Sequence, residues 1–261
     1  MGTLEGAAPS RSRLFRDAPL IRDAGTKRCW LNTRLMSPAR IQLDVSAPAA
    51  RVAAGAAVAA MLLLAGLHVL SPEFDPSWRV VSEYANGQYG WVLSLMFGAW
   101  ALSQWAIALA ISSQVKTRPG RIGLYLLIAS GIGEAMASVF DINHPLHNLA
   151  GALGVPTMPV AATLISGSLG RVPAWSAAKR SLVWTANLIW ISLVSFIATM
   201  VLLVVTLHRA GGPMGAHITQ LPAGVIAVNG WANRLFVVTS CLWVITVARV
   251  MLNRRLDGSR A

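Results

Sequence analysis

The stretch from Glu134 to Gly151 contains the side chains of this chain that are best suited to chemistry. They are Glu134, Asp141, His144 and His147. The stretch leaves one apolar segment, crosses a very short connection and enters the next, in a chain that is 55% hydrophobic. Ionisable groups at membrane depth are costly, and they usually face a cavity or a partner. These four residues are therefore the first candidates for a functional site.

The spacing of these residues predicts that they cluster at one end of a pair of helices. Glu134, Ser138 and Asp141 are separated by four and then three positions, which places them on one face of a helix. His144 and His147 are three positions apart at the start of the following helix. Because helices joined by so short a connection are antiparallel neighbours, we expect Asp141 to lie close to His147.

An aspartate with two histidines is an adequate ligand set for a divalent metal that holds an activated water. The sequence therefore gives a metal hypothesis with Asp141, His144 and His147 as ligands and Glu83 or Glu134 as base. The spacing H-x-x-H is much less specific for a metal than H-E-x-x-H. No other cofactor is indicated.

A simpler interpretation of the same residues needs no metal. Both histidines would be solvated or would cap a helix at the level of the lipid headgroups, and Asp141 would pair with Arg234 or Arg79. Glu134 would be a protonated or arginine-paired carboxyl that holds helices together. The sequence alone leaves both interpretations open.

Six apolar segments position these residues, and each approaches or exceeds the roughly 20 residues that a helix needs to cross a bilayer core. Their approximate bounds are 52–70, 89–111, 122–140, 149–169, 182–207 and 231–250. Helices satisfy their own backbone hydrogen bonds within a membrane. The sequence therefore predicts an all-α, polytopic membrane protein with a six-transmembrane-helix bundle.

The basic residues predict the orientation of this bundle. All 22 lysine and arginine residues except Arg79, Arg209 and Arg234 fall in residues 1–51, in the connections 112–121 and 170–181, or at the C-terminal end. By the positive-inside rule both termini are cytoplasmic, in a multi-pass protein of the plasma (inner) membrane. The net charge of +12 is thus a signal of topology, and we expect no nucleic-acid partner.

Three regions follow from this organisation. Residues 1–51 are expected to form a basic, disordered cytoplasmic arm that is attracted to anionic lipid. Residues 52–250 form the transmembrane domain, and 251–261 form a basic cytoplasmic tail. Translation could also begin at Met36 rather than Met1, and the stretch before it would then have no structural role.

Two further expectations concern the end of the bundle that carries Glu134 and the histidines. Arg234 lies about one turn inside the sixth helix, where an unpaired charge is unfavourable. We therefore expect it to pair with Glu83, Glu134 or Asp141. We also expect the first loop to be ordered and to fold over the bundle, with Glu83 turned inward toward Asp141 or the histidines.

Short motifs in this loop and beyond it resemble a known family. They are Val81-Ser82-Glu83-Tyr84-Ala85, a Gly-Trp pair opening the second helix, and Phe140-Asp141 followed by His147. Together they resemble the bacterial "domain of unknown function 998" family of six-helix integral membrane proteins, over about residues 52–250. The resemblance implies that Ser82, Glu83, Asp141 and His147 are positions of interest, and it implies no activity.

The function best supported by the sequence is binding or transport of a small polar or amphiphilic ligand at an outward-facing polar site. One alternative is an intramembrane lipid hydrolase that uses the Asp/His cluster. Another is a non-enzymatic component that modulates lipid or membrane partners. The chain has no G-x-S-x-G motif and no Gly-rich phosphate loop, which favours a protein that is not an enzyme.

Overall fold

The computed structural model describes Gly2, residues 38–212 and residues 220–258. Of residues 38–45 and 254–258 it describes the backbone alone. Residue 1 and residues 3–37 of the predicted arm lie outside the described residues, and residues 38–51 belong to a helix. His217 also lies outside the described residues.

Six long helices make up the described part of the chain, and no strand occurs there. They are α1 (Pro38–Leu70), α2 (Gly90–Ile111), α3 (Arg118–Val139), α4 (Leu146–Leu169), α5 (Lys179–Arg209) and α6 (Asn229–Gly258). Two short 3-10 segments, Val81–Asn86 and Pro173–Ala178, precede α2 and α5. Each long helix contains a stretch that is long and apolar enough to cross a membrane, which confirms the predicted six-helix architecture.

The helices contact one another in chain order, from α1 to α6, and α6 contacts α1 to complete the bundle. The α2 and α6 helices also contact each other across the centre. We call the end with the α1–α2, α3–α4 and α5–α6 connections the upper end. The end with the α2–α3 and α4–α5 connections is the lower end. The predicted site residues all belong to the upper half.

Helix α1 begins at Pro38, well before the apolar run that starts at Val52. Its inward face is a row of small residues spaced three or four apart, namely Ala50, Ala53, Ala57 and Ala60, all fully buried. Small side chains let helix backbones approach closely, which is the usual way for helices to associate in a membrane. This row explains how α1 packs closely against its neighbours α2 and α6.

The α3 and α4 helices form the most extensive helix pair in the bundle. Gly133 of α3 faces the backbone of Ala150 and Gly154 on α4, so closely that a Cβ atom would have no room. The Ser130 hydroxyl donates a hydrogen bond to the carbonyl oxygen of Gly154 across the same interface, at 3.0 Å. This contact fixes the position of Glu134, the residue after Gly133.

Candidate ligand-binding site

The first loop, residues 71–89, is ordered and lies over the upper end of the bundle. Val81 and Tyr84 are buried there, and Phe74 packs against the core. The loop is attached to the start of α6, because Asn233 Oδ1 accepts a hydrogen bond from the Val81 N–H at 2.8 Å. The prediction that this loop folds inward over the bundle is confirmed.

The beginning of this loop is held by its own side chains. Asp75 Oδ1 accepts a hydrogen bond from the Ser77 N–H at 2.9 Å. Hydrogen bonds from the Ser77 backbone and hydroxyl lower the pKa of Asp75 from its ordinary value. These hydrogen bonds favour the ionised form of Asp75 and hold the turn at the start of the loop.

Arg234 is the group that joins this loop to the bundle. It is 4% exposed. Its Nη1 donates to the carbonyl oxygens of Arg79 at 2.7 Å, Gly230 at 3.0 Å and Pro76 at 3.4 Å. Its Nη2 donates to the Tyr84 hydroxyl at 2.9 Å. The guanidinium therefore connects α6 to the backbone of the loop.

The prediction that Arg234 pairs with Glu83, Glu134 or Asp141 is wrong. No carboxylate lies within ion-pair distance of it in the described part of the chain. Its Nε donates instead to His68 Nε2 at 2.8 Å. His68 Nδ1 lies 2.7 Å from the Leu64 carbonyl oxygen, so the proton sits on Nδ1 and Nε2 accepts. Neutral oxygens and an imidazole replace the expected carboxylate.

Glu83 does not turn toward Asp141 or the histidines, which corrects the second expectation for this loop. Its Oε2 accepts a hydrogen bond from Arg79 Nη1 at 2.5 Å, and its Oε1 accepts from the Val80 N–H at 3.1 Å. The Arg79 guanidinium also lies over the Trp78 ring, 4.2 Å from its centroid. Glu83 therefore stabilises the loop and does not face the interior.

The metal ligand set predicted for the α3–α4 connection is not formed in the structure. Helix α3 ends at Val139, so Asp141 does not share a helix face with Glu134 and is exposed. Asp141 Oδ1 accepts from the Asn143 N–H, and His144 Nδ1 accepts from the Leu146 N–H. Within residues 38–212 and 220–258, no three His, Cys, Asp or Glu side chains are grouped so that they could hold a metal ion.

Three of the predicted site residues do meet. Ser82, Glu134 and His147 line one cavity of about 70 Å³ beneath the first loop. His147 is oriented by its Nδ1, which lies 2.9 Å from the Phe140 carbonyl oxygen. The cavity has room for a few water molecules or a small polar group. It draws on the first loop and on α2, α3, α4 and α6. We call it the Glu134 cavity.

Glu134 is the central group of this cavity. Its side chain is 4% exposed, and its Oε1 faces the close approach of α3 to Gly154. Among the described residues, no cationic side chain forms an ion pair with it. The arginine-paired form of the structural alternative does not hold for Arg234, which is occupied elsewhere, whereas the protonated form is compatible with the burial of Glu134. An unpaired buried carboxyl group is unfavourable unless something else satisfies it.

Sequence reasoning missed two polar residues of the cavity, Trp100 and Asn233. Trp100 is buried, and its Nε1–H has no acceptor among the described residues. Asn233 could have been found as the polar neighbour of Arg234 in an apolar run. Trp100 could not, because an aromatic residue within an apolar helix usually belongs to the core. Gln104, one helical turn deeper on α2, is also buried with both amide atoms unpaired.

The model of the protein family of unknown function DUF998 matches residues 52–250, which is most of the chain. The chain belongs to the DUF998 family. Searches of curated proteins and of solved structures found no match. The family match and the six apolar helices together identify an integral membrane protein.

The motif residues of this DUF998 protein divide into two groups in the structure. Ser82 and His147 line the Glu134 cavity. Glu83 and Asp141 lie outside it, where each accepts hydrogen bonds from its own loop. Two motif residues thus line the cavity, Ser82 from the first loop and His147 from α4. Glu134, the buried carboxyl group of the cavity, is not part of the motifs.

Proposed function

We propose that the protein binds a small amine cation in the Glu134 cavity, reached from the upper end. One observation carries this proposal: Glu134 is buried at the wall of a cavity, and no cationic side chain among the described residues forms an ion pair with it. A ligand that brings a positive charge and hydrogen-bond donors would satisfy it.

The other walls of the cavity suit such a ligand. The aromatic residues Phe97, Trp100 and Phe236 line it, and aromatic faces attract organic cations. Ser82 and His147 add polar atoms on the side of the first loop. No arginine or lysine lines the cavity, so no side chain of the lining competes with the ligand for the carboxylate.

The hydrolase interpretation has less support. It needs Asp141 and His144 to act together with His147, but Asp141 and His144 bond to their own connection, outside the cavity. His147 remains as the one residue of that set that lines the cavity. A single imidazole beside a carboxyl group does not make a nucleophile or a metal site.

Binding is tested by thermal unfolding of the purified, full-length protein in detergent, with methylammonium and ammonium as probes and methanol as the neutral comparison. Wild-type protein is expected to be stabilised by the cations and not by methanol, because a ligand that binds only the folded state raises the melting temperature. Glu134→Gln should weaken methylammonium binding by about tenfold to a hundredfold, the loss expected for a charge-assisted hydrogen bond.

Glu73→Gln is the matched control, because Glu73 is an exposed carboxylate of the first loop that does not line the cavity. It should bind methylammonium as the wild type does. Equal binding by Glu134→Gln, or no stabilisation of the wild type by either cation, would contradict the proposal. Uptake of labelled methylammonium into proteoliposomes then decides whether the bound cation is also transported.

We propose further that the upper end faces away from the cytoplasm of a plasma-membrane protein, with both termini inside. The support is the distribution of charge: Arg79, Arg209 and Arg234 are the basic residues of the upper half, and the connections at the lower end are rich in lysine and arginine. Reporters fused within 112–121 and after the last residue should both be located in the cytoplasm. An external reporter at 112–121 would contradict this orientation.

A further inference from the structure

Two apolar grooves lie side by side on the membrane-facing surface of the lower half of the bundle. One, of about 670 Å³, runs between α2 and α3. The other, of about 520 Å³, runs between α1 and α2. Trp105 and Leu109 of α2 line both grooves and form the ridge that separates them. Neither groove shares a residue with the Glu134 cavity.

The ridge is held in place by α3. Trp105 Nε1 donates a hydrogen bond to the Ile128 carbonyl oxygen at 3.2 Å. Gly131, one turn further along α3, leaves the space that the indole ring occupies. Because this contact fixes the ring, the two grooves are features of the folded bundle and do not depend on a freely rotating side chain.

Charge is present at one end of the α2–α3 groove. Arg121 and the hydroxyl-bearing Ser112 line it at the lower end, whereas Ile128 and Ile132 line its deeper part. Arg121 is exposed and has no carboxylate partner among the described residues. The Ser112 hydroxyl donates to the Leu109 carbonyl oxygen, so the guanidinium is the group that matches the anionic head of an amphiphile.

The length of the groove sets the size of this amphiphile. Arg121 and Ile132 lie on the same helix, about 16 Å apart at the α-helical rise per residue. That distance is roughly half of the hydrocarbon core of a bilayer, which is about 30 Å thick. The α2–α3 groove therefore fits one acyl chain of one leaflet, and the α1–α2 groove lies alongside it for a second chain.

We infer that these grooves bind one anionic phospholipid with two acyl chains. Its phosphate lies at Arg121, and its chains lie on either side of the ridge made by Trp105 and Leu109. This site is separate from the Glu134 cavity. It would therefore remain even if the proposed amine site were wrong.

The full-length protein in neutral detergent is titrated separately with four ligands, and binding is measured by native mass spectrometry. The ligands are phosphatidylglycerol, phosphatidylcholine, single-chain lysophosphatidylglycerol and inorganic phosphate. Phosphatidylglycerol should bind more tightly than phosphatidylcholine and than the single-chain lipid. Arg121→Ala should weaken phosphatidylglycerol binding by about fivefold to tenfold, as loss of one phosphate-binding arginine implies. Because Arg121 is exposed, this variant should fold normally.

Arg118→Ala is the matched control, since Arg118 is an exposed arginine of the same first turn of α3 that does not line the groove. It should bind phosphatidylglycerol as the wild type does. An equal loss in both variants would mean diffuse charge attraction and would overturn the site. Equal binding of phosphatidylcholine or of the single-chain lipid, or full competition by inorganic phosphate, would also overturn it.

Discussion

Replacing Arg234 by methionine is expected to lower the free energy of unfolding by about 3–5 kcal/mol. The guanidinium donates five hydrogen bonds to carbonyl oxygens, a hydroxyl and an imidazole. Methionine fills a similar volume but donates none of them. The Gly230 carbonyl would still accept its helical hydrogen bond, but the other acceptors would lose their donor, each at a cost of roughly 1–3 kcal/mol when no other group reaches it.

Removal of the buried charge of Arg234 opposes this loss. Burying a charge without a carboxylate is itself costly, and methionine would remove that cost. Arginine is the cation for which this gain is smallest, because its delocalised charge is weakly hydrated and here all three nitrogens donate hydrogen bonds. The cost of leaving these acceptors without a donor therefore exceeds the gain from removing the buried charge, and the substitution destabilises the protein.

The measurement is unfolding in mixed micelles by titration with sodium dodecyl sulfate, followed by tryptophan fluorescence. Arg234→Lys should recover part of the stability, since an ammonium group keeps the charge but cannot reach acceptors on both sides. Arg79→Met is the comparison variant: it breaks one partly buried ion pair and a contact with the Trp78 ring but leaves the Arg234 hydrogen bonds in place, so it should cost less than Arg234→Met, about 1–2 kcal/mol. Equal stability of Arg234→Met and the wild type would show that the loop is held by other contacts.

The helices could be predicted well from the sequence because the bilayer demands long apolar runs. The second segment, predicted at 89–111, is helical from Gly90 to Ile111. The first helix begins earlier than the run from Val52, since a helix can continue past the point where its residues stop being apolar. An apolar run marks the membrane part of a helix and not its ends.

The polar contacts could be predicted less well. The short α3–α4 connection was used to predict Asp141 beside His147, but in the structure it is Glu134 that lines a cavity with His147, while Asp141 is exposed. An ion pair of Arg234 with an acidic residue was predicted because few acidic residues lie at the same depth in the bundle. Two of the five acceptors of Arg234 are backbone carbonyls of the first loop, from Pro76 and Arg79, and sequence does not show where a loop directs its carbonyls.

Gly133→Ala is expected to damage the packing of α3 against α4. A Cβ at this position would lie 2.5 Å from the Gly154 nitrogen and 2.7 Å from the Ala150 carbonyl oxygen. Both are backbone atoms of α4, so no side chain can rotate away. The α3 and α4 helices would have to separate, at a cost of about 1–3 kcal/mol for overpacking, more than the roughly 1 kcal/mol gained in helix propensity.

The same separation would move Glu134, the next residue on α3, away from the position that its cavity requires. Gly133→Ala should therefore reduce methylammonium binding as well as stability in the mixed-micelle titration. Gly167→Ala on α4 is the matched control, because a Cβ there meets no atom within 4 Å. It should leave binding unchanged and stability equal or slightly higher, by up to about 1 kcal/mol. If Gly133→Ala behaved like Gly167→Ala, the α3–α4 interface would be looser than the structure has it, and the enclosed position of Glu134 would lose its physical basis.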